Sequence, residues 1–235
     1  MENLKEYILS LGANLVGFAD LSSLPAHHRL NMPYGISIGI SINPAIVSLV
    51  PQNATMEYYN EYLRLNNKLD EIGSILQEYI SKQGYSAIAQ TVDFVKKQRK
   101  KSDPDNPASL ALMPHKTIAA LSGLGWIAKN SLLITEKYGS AIRITSVLTD
   151  APVTIQKVSY KCHCGNCKIC TEACPGNAIK NKEWTINTSR DELIDFHACR
   201  KAVENRGHNL GIHHGACGIC MAVCPYTQRY INSAV

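Results

Sequence analysis

Residues 164–175 read Cys-Gly-Asn-Cys-Lys-Ile-Cys-Thr-Glu-Ala-Cys-Pro, and this stretch decides how the second half of the chain folds. The cysteines follow the spacing C-x2-C-x2-C-x3-C-P, which is typical of proteins that hold a [4Fe–4S] cluster. The first three cysteines turn tightly around one cluster. The fourth points away from it and, in proteins with two clusters, binds the other one. The stretch therefore predicts one cluster here and a second cluster built with cysteines from elsewhere in the chain.

A shorter cysteine motif lies at residues 217–225, where the spacing C-x2-C-x3-C-P lacks one leading cysteine. Cys199 precedes this motif and can supply the missing ligand across a loop. We expect a crossed pairing, in which the last cysteine of each motif joins the cluster of the other motif. Cluster one is predicted to be bound by Cys164, Cys167, Cys170 and Cys224, and cluster two by Cys174, Cys199, Cys217 and Cys220. Cys162 belongs to neither set and is interpreted as a bystander thiol, with a ligand or redox role as the alternative.

A zinc site and a disulfide framework account for the cysteines less well. A zinc ribbon uses two C-x2-C pairs and has no need of two C-x3-C-P endings. A disulfide framework requires a secreted protein. No apolar segment of the signal-peptide kind follows Met1. Iron–sulfur chemistry is therefore the preferred interpretation.

The composition divides the chain into two halves. All nine cysteines lie after residue 161, so we predict a first domain at residues 1–158 and a ferredoxin-type domain at residues 159–235. The hydrophobic content of 45% is normal for a globular protein, and no stretch reaches the roughly 18 apolar residues that span a membrane. Oxygen-sensitive clusters and the missing export signal predict a cytoplasmic protein.

Positive charge is concentrated in one run, Lys-Lys-Gln-Arg-Lys-Lys at residues 96–101, within a chain of net charge +5. Such a run is either a solvated loop or a patch that contacts phosphate groups, for example of RNA. No aromatic residues interleave with the basic ones, so stacking on bases gains no support. The segment Ser-Asp-Pro-Asp-Asn-Pro that follows, at positions 102–107, predicts an exposed loop.

The first half is predicted to be α+β, with helices packed against a mostly antiparallel sheet. Apolar residues at intervals of three and four predict a long helix over 56–82. The sequence contains neither a P-loop nor G-x-G-x-x-G, which disfavours nucleotide hydrolysis and a Rossmann dehydrogenase. Further helices are predicted at 3–11 and 116–121, and strands at 15–19, 36–42, 86–93, 131–134 and 141–148.

A family resemblance becomes visible when three segments are read in order. Gly123-Leu-Gly-Trp-Ile-Ala-Lys-Asn-Ser-Leu-Leu-Ile134, Val147-Leu-Thr-Asp-Ala-Pro152 and the two cysteine motifs together resemble the epoxyqueuosine reductase family, over roughly residues 85–228. Ala128 stands where that family has a glycine. The resemblance implies a nitroreductase-like domain that holds cobalamin with its lower base displaced, followed by a ferredoxin-like domain. Reductive dehalogenases share this general plan.

The resemblance also implies an activity. The chain would pass electrons from an external low-potential donor of the ferredoxin or flavodoxin type, through two [4Fe–4S] clusters, to the corrinoid. The corrinoid would then reduce an epoxide or a similar group on a small molecule or a modified nucleoside. Members that act on tRNA carry a further helical-repeat domain, whereas this chain stops at Val235, so tRNA is a less favoured substrate. The alternative is a non-catalytic electron carrier or a corrinoid-handling protein.

Individual residues take their expected roles from the same resemblance. Gly123, Gly125, Trp126, Lys129, Asn130 and Ser131 match the loop that lies against the corrin. Core packing is the alternative for Trp126, and a hydrogen-bonded turn is the alternative for Lys129 and Asn130. The proton donor is expected to be Asp93, because Val92-Asp93 resembles the family's acidic segment, or else His115, since histidine titrates near neutral pH.

Overall fold

A computed structural model describes residues 3–102, 113–156, 158–159, 161–212, 215 and 217–233, without the side chains of residues 100–102. The predicted loop at 102–107 lies outside the described residues except for Ser102, which ends a helix.

The chain forms two compact units, and neither is continuous in sequence. Unit one comprises Met1–Ile40, Leu65–Gly125 and Arg143–Tyr160, and unit two comprises Ser41–Arg64, Trp126–Ile142 and Lys161–Val235. The predicted division between residues 158 and 159 lies near the last of these boundaries. Unit two, however, also contains two earlier segments that were predicted to belong to the first domain. The assignment of separate domains stays a prediction.

The described residues form six strands and ten α-helices, which we number in chain order. The strands are β1 (Leu15–Asp20), β2 (Tyr34–Ser41), β3 (Ala87–Ala89), β4 (Trp126–Ile127), β5 (Leu133–Ile134) and β6 (Ile142–Thr149). The helices are α1 (Leu4–Ser10), α2 (Pro44–Leu49), α3 (Met56–Lys82), α4 (Val92–Ser102), α5 (His115–Leu121), α6 (Ile169–Glu172), α7 (Arg190–Leu193), α8 (Phe196–Gly207), α9 (Ile219–Ala222) and α10 (Pro225–Ser233). A short 3-10 turn, His208–Leu210, follows α8.

A four-stranded sheet of order β1-β2-β6-β3 organises unit one. Strand β1 pairs with β2, and β3 pairs with β6, in antiparallel register. The C-terminal part of α3 belongs to the same unit and buries the side chains of Leu69, Ile72 and Leu76 almost completely. The predicted α+β class with an antiparallel sheet is therefore confirmed, as is the helix over 56–82.

The strand predicted over 86–93 is wrong beyond its first residues. Strand β3 ends at Ala89, and α4 begins at Val92, so Asp93 lies in the first turn of a helix. The carboxylate of Asp70 accepts the backbone N–H of Val92 at 3.0 Å, and Thr91 Oγ1 accepts that of Phe94 at 3.3 Å. These contacts satisfy N–H groups that a helix start leaves unpaired. The basic run at 96–101 consequently lies on a helix rather than in a loop.

Unit two combines a small hairpin with short helices that follow the cysteine motifs. Strands β4 and β5 pair in antiparallel register around a tight turn, in which Ser131 has a φ of 59°. Helix α10 begins at Pro225, where a missing N–H costs nothing, and Tyr230 of that helix donates its hydroxyl to the carbonyl of Ile42 at 3.0 Å. Residues 41–64 are tied to the cysteine-containing segment in this way.

Candidate cluster-binding site

The loop between the first two motif cysteines turns tightly, as the spacing predicted. The N–H of Cys167 donates to the carbonyl of Cys164 at 3.0 Å, and α6 begins two residues later. The second motif closes in a similar way, because the N–H groups of Met221 and Ala222 donate to the carbonyl of Gly218 as α9 begins. Each motif is thus a loop followed by one helical turn, which carries its last cysteine past the loop.

One group of thiols surrounds Cys170. Burial raises the pKa of this thiol, and the neighbouring thiols Cys164, Cys224 and Cys167 raise it further. Cys224 comes from the second motif, whereas the other three come from the first. The thiols that act on Cys170 are therefore the other three cysteines predicted for cluster one.

A second group surrounds Cys220. Burial is again the main cause that raises the pKa of the Cys220 thiol. The thiols of Cys217 and Cys199, and then those of Cys170 and Cys174, raise it further. The N–H of Ala178 lies 3.4 Å from the sulfur of Cys174. The group contains the four cysteines predicted for cluster two, together with one member of the first group. The ligand assignment itself stays a prediction.

The surroundings of the first group suit an iron–sulfur cluster. Among the described residues, no three His, Cys, Asp or Glu side chains are grouped so as to hold a single metal ion. Two buried donors beside these cysteines, the indole Nε1 of Trp126 and the hydroxyl of Thr171, have no partner at full hydrogen-bond geometry in the described structure. The acceptors on which they act are the sulfurs of Cys164 and Cys170. The inorganic sulfides and thiolates of a cluster are acceptors for such donors. The site therefore fits the predicted group.

Lys129 and Asn130 form hydrogen bonds to the two cysteine loops. The buried ammonium of Lys129 donates to the carbonyl of Gly165 at 2.6 Å and to that of Cys167 at 3.3 Å. The amide of Asn130 donates to the carbonyl of Cys220 at 3.0 Å. One turn after β4 thus contacts a loop of each motif.

These contacts change the interpretation of the residues predicted to lie against a corrin. Trp126, Lys129, Asn130 and Ser131 belong to unit two, whereas Gly123 and Gly125 belong to unit one. The polar atoms of Lys129 and Asn130 are directed to backbone carbonyls of the cysteine loops. A Cβ on residue 123 would lie 2.5 Å from Val158 Cγ1. Packing within the protein is therefore enough to explain a glycine at this position. The role of these six residues in holding a corrin stays a prediction.

Cys162 is buried beside the cluster-one cysteines. It packs against Trp126, Ala128 and Ile134. Its thiol hydrogen-bonds the sulfur of Cys164, which is the main cause that raises the pKa of Cys162 and lowers that of Cys164. A buried, protonated thiol that donates to a predicted ligand sulfur occupies a position where it can influence the cluster. The choice between a bystander and a ligand or redox role stays open.

The two predicted proton donors lie in different surroundings. Asp93 is exposed, with 83% of its side chain accessible, and its carboxylate lies 3.7 Å from Lys96 Nζ. His115 Nδ1 lies 2.7 Å from the hydroxyl of Ser146, which in turn accepts the amide of Gln90 at 2.7 Å. The hydroxyl can donate to a bare Nδ1 or accept from a protonated one, so the tautomer of His115 decides the direction of this bond.

The charge state of His115 follows from its surroundings. Burial, with the positive charges of Arg143 and Arg99, lowers the pKa of His115 to about 4. The imidazole is therefore neutral at pH 7 and holds no imidazolium proton to donate. Ser146 and Gln90 were not among the residues predicted for the site, because no local motif connects a residue of β6 with the segment after β3.

We expect this shift to make stability pH-dependent. The folded pKa lies below the unfolded value, so the unfolded chain binds the extra proton and stability falls as the pH drops from about 6.5 to about 4. The total loss is on the order of 3 kcal/mol, and about 1 kcal/mol of it falls between pH 6.5 and 5.5. Anaerobic urea unfolding of wild type and His115→Gln over that interval measures it. If the free energy of unfolding depended on pH equally in both proteins, the lowered pKa would not belong to His115.

Comparisons with known proteins decide the nature of the cysteine segment. Residues 163–227 match the 4Fe-4S double cluster binding domain family. This segment is a double-cluster domain. The prediction of two [4Fe–4S] clusters is thereby confirmed, and the zinc and disulfide interpretations are set aside.

The resemblance to epoxyqueuosine reductases is also confirmed. The chain is 34% identical over 124 residues to the epoxyqueuosine reductase of Synechocystis sp., a match that covers 49% of this chain and 40% of that protein. It is 32% identical over 120 residues to the enzyme of Cyclobacterium marinum, covering 47% of this chain and 36% of the relative. The matched part of the chain thus spans well under half of these relatives.

Solved structures show that the fold is shared more widely. A catabolic reductive dehalogenase superposes on 97% of this chain, and on 33% of its own, with a TM-score of 0.68 and 17% identity. The epoxyqueuosine reductase of Streptococcus thermophilus covers 96% of this chain, and the match spans 66% of that enzyme, with a TM-score of 0.58 and 18% identity. The fold expected from the resemblance is confirmed. In the described part of the chain, helices long and apolar enough to cross a membrane are absent.

Proposed function

We propose that the chain is an iron–sulfur and cobalamin-dependent reductase, which passes electrons through two [4Fe–4S] clusters to a corrinoid that reduces an epoxide or a similar group. The double-cluster domain carries this proposal. Two clusters in one small segment suit a relay of single electrons, since one cluster would suffice to stabilise a fold. The grouping of thiols around Cys170 and Cys220 is what such a relay requires.

The likeness to two kinds of reductase supports the corrinoid. Besides the epoxyqueuosine reductases, the matching structures include a reductive dehalogenase whose structure suggests a mechanism for B12-dependent dehalogenation. A bound corrinoid supplies a cobalt centre that accepts electrons and reduces the substrate. The chain's own residues hold the clusters and supply protons. Asp93 and His115 stay the two candidate proton donors, and His115 could serve only after taking up a proton, since it is neutral at pH 7.

The substrate proposed first is an epoxide on a modified nucleoside. Removal of an epoxide oxygen as water consumes two electrons and two protons, which two clusters and a protein acid can deliver in steps. A solved epoxyqueuosine reductase is bound to a tRNA stem loop that carries epoxyqueuosine. For this chain, both the free nucleoside and the tRNA stem loop are candidate substrates.

Anaerobic turnover tests the proposal. Protein reconstituted with iron, sulfide and cobalamin is reduced with titanium(III) citrate or a reduced flavodoxin and offered epoxyqueuosine, the matching stem loop or an aryl halide. We expect a deoxygenated or dehalogenated product that requires cobalamin, detected by mass spectrometry. Clusters that reduce and reoxidise without product from any of these substrates would favour the electron carrier instead.

The basic helix α4 favours RNA contact as a second possibility. Lys96, Lys97 and Arg99 are exposed on it, and exposed cations on a helix can neutralise phosphates. If they do, the binding constant of the double variant Lys96→Gln/Lys97→Gln for the stem loop depends less steeply on salt. The slope of log K against log salt becomes less negative by about 1.5. Lys5→Gln/Lys82→Gln, which removes two exposed lysines elsewhere, is the control. An unchanged slope in the α4 variant would exclude α4 as the RNA contact.

A further inference from the structure

Trp126 places a buried donor against the cluster-one cysteines. Only 7% of the residue is exposed, and its side chain packs with Cys162, Cys164 and Cys224. His163 stacks on the indole at 4.7 Å between ring centroids, and Tyr226 meets it edge-on at 4.9 Å. Held from both sides in this way, the indole has a fixed orientation. Its Nε1–H has no partner at full hydrogen-bond geometry among the described residues, and the acceptor on which it acts is the sulfur of Cys164.

Thr171 supplies a second donor of the same kind. Its hydroxyl is buried without a partner at full hydrogen-bond geometry in the described structure, and the residue follows Cys170 directly, within α6. The acceptor on which this hydroxyl acts is the sulfur of Cys170. Five buried side-chain polar atoms of the described residues lack a partner, and two of them are these donors beside cluster one. Unpaired buried donors cost free energy, so their concentration at one place indicates an acceptor there.

We propose that Trp126 and Thr171 donate hydrogen bonds to cluster one and raise its reduction potential. The proposal rests on the double-cluster function. Reduction adds one negative charge to a cluster, and hydrogen bonds to its sulfurs stabilise the reduced form, which raises the potential. The ammonium of Lys129, bonded to the carbonyl of Gly165 in the cluster-one loop, acts in the same direction.

Two variants test the donors with minimal change of shape. Trp126→Phe keeps a ring between His163 and Tyr226 but removes the N–H, and Thr171→Val replaces the hydroxyl with a methyl group. Each is expected to lower the reduction equilibrium constant of cluster one about tenfold, which corresponds to about 59 mV for one electron. Cluster two is expected to keep its potential. Redox titration followed by EPR measures both waves, and Cys167→Ser identifies the wave of cluster one.

Trp184→Phe is the matched control, because it removes the chain's other indole from the same unit. ENDOR detects the N–H directly, as an exchangeable proton coupled to reduced cluster one. We expect this signal in the wild type and not in Trp126→Phe, and the measurement requires only that the cluster forms. The inference would be overturned if both cluster potentials were unchanged in both variants, or if the two clusters shifted equally. Either result would leave the proposed function intact. Protein that binds no clusters at all would instead overturn the function.

Discussion

Cys224→Ala is expected to abolish cluster one, although Cys224 lies in the second motif. Cys174→Ala is expected to abolish cluster two, although Cys174 lies in the first. The physical reason is that a motif's last cysteine is carried past its own loop by one helical turn. In the structure, Cys224 acts on Cys170, and Cys174 acts on Cys220. Each variant should fall from about eight to about four iron atoms per chain.

EPR shows that one cluster has gone, because the remaining cluster loses its magnetic partner and gives a simple signal. The spectrum of Cys167→Ser, which lacks cluster one, shows which cluster remains. Cys162→Ala is expected to retain both clusters under the bystander interpretation, since Cys162 lies outside both sets. If Cys174→Ala destroyed the cluster built on Cys164, Cys167 and Cys170 and spared the other, the crossed assignment would be wrong.

Lys129→Met is expected to weaken the binding of cluster one strongly. The wild-type residue is 5% exposed, and its ammonium bonds the carbonyls of Gly165 and Cys167. Methionine fills similar space but leaves both carbonyls without that donor, at a cost of about 2–4 kcal/mol for the loop. Iron content after anaerobic gel filtration should therefore drop toward about four atoms per chain, with cluster one lost first.

Lys168→Met provides the comparison, because it makes the same substitution at an exposed residue next to Cys167. It should load both clusters normally. Equal iron content and equal thermal stability in the two variants would mean that Lys129 is dispensable to the loop.

The features predicted correctly from sequence are those encoded locally. Helix α3 was predicted at its observed bounds because Leu65, Leu69, Ile72 and Leu76 recur on one face and are buried. The double-cluster domain was predicted because ligand spacing follows directly from the geometry of a cluster.

The errors arise where distant residues decide local structure. Helix α4 replaced a predicted strand because Asp70, far back along the chain, binds the N–H of Val92. Thr91 was a local signal for that helix start, since threonine is favoured at an N-cap. The bonds from Lys129 and Asn130 to the cysteine loops join residues 36 and 90 positions apart. No periodicity or spacing could have indicated these bonds, and the role of both residues towards a corrin stays a prediction.

The most direct test of the central claim is anaerobic EPR of the iron-reconstituted protein with and without added cob(II)alamin. We predict signals from two interacting reduced clusters together with a cob(II)alamin spectrum of the base-off form. Cob(II)alamin that keeps its free-solution spectrum beside two intact clusters would contradict a corrinoid-dependent reductase, and would leave an electron carrier in its place.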